Sequence, residues 1–115
     1  MVNMDIIRKE KADIVILQVK LSRATLKEAD EFKKFLLNDI NSGKKKILVD
    51  LSPCEFIDST FLGALVISQK KISEYGGDIR LVAAHSAVRS MFELTRINKV
   101  FEIFLSVDEA LKSFA

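Results

Sequence analysis

The stretch Asp50-Leu51-Ser52-Pro53-Cys54-Glu55-Phe56-Ile57-Asp58-Ser59-Thr60-Phe61-Leu62-Gly63-Ala64-Leu65 decides how the chain is read. Ahead of it, Ile47-Leu48-Val49 is a short apolar run bounded by lysines and Asp50, the pattern of a buried parallel strand. Behind it, a helical pattern begins near Ser59, runs to Tyr75 and stops at Gly76-Gly77, where glycine can adopt the left-handed cap conformation. Asp58 occupies the N-cap position, so its carboxylate can accept from the free amides of the first turn. Ser59 is then the first residue inside the helix, with its hydroxyl at the positive end of the helix dipole, where a phosphate would meet unpaired amides. The same residues also suffice simply to start a helix.

Working outward, the remainder alternates strands with helices. Met4–Lys9 and Ile14–Val19 read as two strands joined by the polar turn Glu10-Lys11-Ala12-Asp13, the second inside the sheet and the first at its edge. Thr25-Leu26-Lys27-Glu28 fits a capping box, and the helix it opens carries Leu26, Ala29, Phe32, Leu36 and Ile40 on one apolar stripe. Lys44-Lys45-Lys46 reads as a solvated loop. A strand at Ile79–Ala84, a helix from Ser86 to about Ile97, a short strand at Val100–Phe104 and a terminal helix from Ser106 to near Phe114 complete the pattern. The alternation predicts an α/β fold: a mixed, mostly parallel sheet with an antiparallel N-terminal edge strand and about four helices, in one domain over residues 1–115.

Composition narrows the function. The 115 residues are 49% hydrophobic and 30% charged with a formal net charge of +2, an ordinary globular balance without the concentrated basic face that nucleic-acid binding needs. An N-terminus without an apolar leader, the lack of a bilayer-length apolar run and a single cysteine together predict a cytoplasmic protein with no membrane insertion. One histidine, His85, is too few for a multi-histidine metal site. Cys54 and His85 could pair as nucleophile and base, but nothing near them in sequence supplies an orienting third group. Gly76-Gly77 follows a helix and lacks the lysine of a phosphate-binding loop. The residues point to a binding protein rather than an enzyme, with no cofactor and no metal. In the helix from Ser59, Phe61-Leu62-Gly63-Ala64-Leu65-Val66-Ile67 carries no charge on any face, which suits a buried helix or one partly covered by a partner.

Ile47-Leu48-Val49-Asp50-Leu51-Ser52 followed by Phe56-Ile57-Asp58-Ser59-Thr60-Phe61-Leu62-Gly63 resembles the signature of the STAS domain family, in particular the bacterial anti-sigma-factor antagonists. The family pattern is an apolar strand ending in Asp-Leu, then Asp-Ser-(Ser/Thr/Ala)-Gly-Leu-Gly opening a helix. The resemblance continues through Gly76-Gly77, the strand to Ala84, the run Val88 to Ile97 and Ser106-Val107-Asp108-Glu109-Ala110-Leu111, nearly the whole chain. It implies a partner-switching regulator. Ser59 would be phosphorylated by a serine kinase that is itself the anti-sigma factor, the unmodified chain would bind that partner, and a phosphatase would reset the system. Asp58, Thr60, Phe61, Leu62 and Ser22 would form the partner-binding surface. The alternative is a constitutive STAS scaffold or accessory subunit of a signalling or transport complex, anchored by Phe61. The chain departs from the pattern in three places. Phe61 and Arg96 stand where the family has glycine, and Val19-Lys20-Leu21-Ser22 replaces Gly-Glu-hydrophobic-Asp, so a carboxylate near the docking site is missing.

Overall fold

Three apolar runs form the interior of a five-stranded sheet in the computed structural model, which describes residues 5–115. The strands β1 (Ile6–Lys11) and β2 (Ile14–Val19) form an antiparallel hairpin in which Ile6 faces Val19 and Lys11 faces Ile14. Met4, expected in the first strand, lies outside the described residues. The hairpin turns more tightly than the sequence suggests, because Ala12 takes a left-handed backbone (φ +55°). Beside β2, and parallel to it, runs β4 (Lys46–Asp50), followed by β6 (Asp78–Val82) and the two-residue β7 (Ile103–Phe104). The order β1-β2-β4-β6-β7 places the antiparallel strand at one edge, as the alternation predicts.

Strand residues alternate between two cores, as a period of two requires. Val15, Leu17, Ile47, Val49, Ile79 and Leu81 are fully buried on one face, beneath α1 (Leu26–Asn41), α2 (Ser59–Ser73) and α3 (Ser86–Leu94). Leu48 and Val82 face the other way, toward Ala110, Leu111 and Phe114 of the terminal segment, which carries α4 (Val107–Ser113). Arg80 fastens that segment: its guanidinium donates to the Ser113 carbonyl at 2.6 Å and lies 4.3 Å over the Phe114 ring.

Thr25 and Glu28 form the expected capping box at α1. Ala29, Phe32, Leu36 and Ile40 are buried as predicted, but Leu26 is 69% exposed, a correction to the apolar stripe. The first turn of α1 is held through its backbone, not by the Leu26 side chain. Asp39, also on α1, is buried and receives a bidentate contact from Arg8 of β1, with Nη2 2.6 Å from Oδ1 and Nε 3.1 Å from Oδ2. The lysine run is not a free loop either, since Lys44 pairs with Glu10 at 2.6 Å and Lys46 opens β4 while pairing with Asp13.

The third helix stops at Leu94, earlier than expected. Arg96, at the family's glycine position, adopts a left-handed backbone (φ +61°), and a short 3-10 turn (Ile97–Lys99) follows. Two further strands of two residues each, β3 (Arg23–Ala24) and β5 (Phe56–Ile57), pair in parallel as a separate small sheet. That pairing brings the segment after β2 alongside the segment before α2.

Candidate functional site

The site is assembled by the small sheet. The Ser22 carbonyl accepts from the amides of Glu55 and Phe56 at 2.8 and 3.1 Å, and the Ala24 carbonyl accepts from the amide of Asp58 at 3.0 Å. These bonds fix the extended approach to Asp58, which enters α2 with φ −92° and ψ 174°. On the surface above them the Arg23 guanidinium lies 4.3 Å over the Phe56 ring, a cation–π contact between paired strands.

Asp58 then does what an N-cap carboxylate does, and one thing more. Its Oδ1 accepts from the Phe61 amide at 2.9 Å, satisfying a first-turn donor of α2. Its Oδ2 accepts from the Leu26 amide at 2.8 Å, so one carboxylate holds the starts of both α1 and α2. The two helices therefore begin side by side at the same end of the domain.

The four residues after Asp58 divide in two. Ser59 and Thr60 are exposed, as is Ser22 across the small sheet. Phe61 is fully buried and stacked on Phe32 of α1, with ring centroids 4.4 Å apart and planes 16° from parallel, and Leu62 is only 5% exposed. The Phe61 and Leu62 side chains, expected at the partner-binding surface, thus point into the core. A large ring at the family's glycine position is accommodated inward, as part of the α1–α2 contact. Asp58, Ser59 and Thr60 form the start of α2 at the surface, Ser22 lies beside Glu55 at the other end of the small sheet, and Phe61 and Leu62 lie beneath the helix start.

Sequence reasoning missed two surface elements. One is Leu26, concealed by its fit to the α1 stripe. The other is a groove of about 280 Å³ between α1 and α2, lined by Ala29 and Lys33 on one side and Thr60, Gly63, Ala64 and Ile67 on the other. A Cβ built at Gly63 meets nothing within 4 Å, so the space above it is open. Ile67 is 53% exposed beside it.

Cys54 is not a nucleophile in this arrangement. Its thiol is buried, and burial, helped by the nearby charge of Asp50, pushes its pKa up to about 12, leaving almost no thiolate at neutral pH. His85 sits at the N-cap position of α3 without a capping hydrogen bond from its side chain. Among the described residues no helix is long and apolar enough to cross a membrane.

A mixed sheet with one antiparallel edge, helices on both faces and a capped Asp-Ser helix start define the class. The chain belongs to the STAS domain family, whose sequence model matches residues 5–110. A candidate anti-sigma factor antagonist of Thermotoga maritima is 34% identical over 101 residues, covering 87% of this chain and 88% of that protein. A crystal structure of a candidate antagonist from the same organism matches with a TM-score of 0.86 at 32% identity, over 94% of this chain and 92% of that one. Bacillus SpoIIAA, solved in its phosphorylated form, matches with a TM-score of 0.75 over 96% of this chain and 99% of that one. At 12% identity it shows the shared fold alone.

Proposed function

We propose that this chain is an anti-sigma-factor antagonist switched by phosphorylation of Ser59, acting in the cytoplasm. The unmodified form binds an anti-sigma factor that is also a serine kinase, phosphorylation releases it, and a cognate phosphatase restores it. The observation that carries the reading is the placement of Ser59: an exposed hydroxyl at the first position of α2, directly after a carboxylate that fixes the helix start. A kinase can reach such a hydroxyl without opening the core, because the neighbouring apolar side chains are already turned inward.

A phosphate there adds about −1.5 to −2 charges and three strong acceptors. The first amides of α2 and the positive end of its dipole lie next to it, so the fold tolerates the group. A partner surface does not tolerate it equally, since docking would strip water from a dianion. The contact surface on this reading is Ser22, Leu26, Asp58, Ser59 and Thr60, continued by the groove beside Gly63; Phe61 and Leu62 support it from below.

The test is binding to the anti-sigma factor co-purified from the host. Ser59→Ala retains the complex, and Ser59→Asp weakens it by roughly tenfold, one carboxylate being a partial imitation of phosphate. Equal binding by the two variants would remove Ser59 from the switch.

A further inference from the structure

The Asp58 carboxylate links two helices that are 32 residues apart at the point of contact. Its Oδ1 serves α2 through the Phe61 amide and its Oδ2 serves α1 through the Leu26 amide. Each oxygen serves one helix, so an asparagine, whose second terminal atom is an amide donor, has an acceptor for only one of the two positions. The rest of the first turn of α1 is secured from within its own helix, where the Thr25 amide donates to Glu28 Oε1 at 3.1 Å and the Lys27 amide to Thr25 Oγ1 at 3.4 Å. The Leu26 amide is thus held from outside its helix, in a solvent-exposed bond, while the Phe61 amide bond is partly buried.

We propose that Asp58 is a positioning residue that transmits the charge state of Ser59 to the first turn of α1, a phosphate on Ser59 driving the carboxylate off the Leu26 amide. The inference rests on the reading of Ser59 as the phosphoacceptor and adds a route by which the modification reaches a second helix. A dianion on the adjacent residue repels the carboxylate, and its own oxygens compete for the same first-turn donors. The exposed bond yields first, because water replaces the carboxylate at Leu26 at little cost, whereas the partly buried Phe61 amide needs its acceptor. The capping box keeps α1 helical, so the change is confined to its first turn. Leu26, with its side chain 69% exposed, is the residue that moves. Phosphorylation then alters the docking surface at two places, by charge at Ser59 and by position at Leu26.

The experiment uses the full chain with phosphoserine installed at position 59 during translation, compared with the unmodified chain by residue-resolved amide hydrogen exchange. Exchange at Leu26 should rise about tenfold, with Phe32 and Leu36 in the same helix unchanged. In Asp58→Asn the remaining acceptor keeps α2 capped. Leu26 should already exchange fast there, and phosphoserine should add nothing. Leu26 exchange that ignores the phosphate in the natural background, or responds equally in Asp58→Asn, would overturn the proposal. Because the phosphate is installed without the kinase, this outcome is independent of whether the host modifies Ser59, which phosphosite mapping decides separately.

Discussion

The two ends of α2 are built in opposite ways. At its start a carboxylate and two exposed hydroxyl residues face solvent, and the helix is held by hydrogen bonds. At its end, Gly76 takes the left-handed turn (φ +77°) and Gly77 packs so closely that an added Cβ would stand 2.7 Å from both Ile72 Cγ1 and the Lys45 carbonyl. The closed end anchors the helix against the beginning of β4, and the open end stands in solvent. A helix fixed at one end can present a modifiable residue at the other without putting the core at risk. Between the two lies Phe61, one turn from the open end yet stacked in the interior.

This contrast can be broken from either side. The largest effect belongs to Phe61→Ala, which removes a fully buried ring from the α1–α2 contact and should cost about 3–5 kcal/mol in denaturant unfolding. A small loss would mean that the ring is not part of the core. Gly77→Ala comes next, at roughly 2 kcal/mol, since two of the crowding atoms, the Lys45 carbonyl oxygen and Cα, are backbone and cannot swing aside. At the open end, Asp58→Ala deletes two hydrogen bonds but uncovers no core, for about 1–2 kcal/mol.

Gly63→Ala separates stability from binding. Nothing blocks the new methyl group, so helix propensity should raise stability by up to about 1 kcal/mol, while the filled groove weakens the anti-sigma-factor complex. Unchanged affinity would place the partner elsewhere. The smallest effect on stability is at Cys54, five residues before Ser59 and its opposite in exposure. With the folded thiol at about 12, above its unfolded value, its contribution is fully present below the unfolded pKa and drains away as pH rises toward 12. At pH 8 the native chain should therefore resist alkylation until it unfolds, as timed mass measurements would record. Rapid labelling would show that the site is open.

The central strands were legible because Ile14–Leu17 and Ile47–Val49 are too apolar to lie anywhere but inside, and both helix starts were legible because capping chemistry is local. The orientation of the first turn of α2 was not. Phe61 to Ile67 is apolar on every side, so periodicity cannot say which residues face inward, and the fold resolves it by stacking Phe61 on Phe32. Leu26 misled for the converse reason: it fits the stripe, but Asp58 holds its backbone and leaves the side chain in water. The two-residue strands β3 and β5 have no period to detect, and Arg8–Asp39 joins residues 31 apart with no local signal. The early end of α3 does have a trace in the sequence, since Arg96 occupies a glycine position and adopts the backbone conformation that glycine favours.

Phosphosite mass spectrometry on the chain isolated from its own host, with Ser59→Ala as the control, tests the account most directly. The expected result is a phosphate on Ser59 that disappears in the control. An unmodified Ser59 across growth and stress conditions, or a phosphate carried by Thr60 instead, would contradict it.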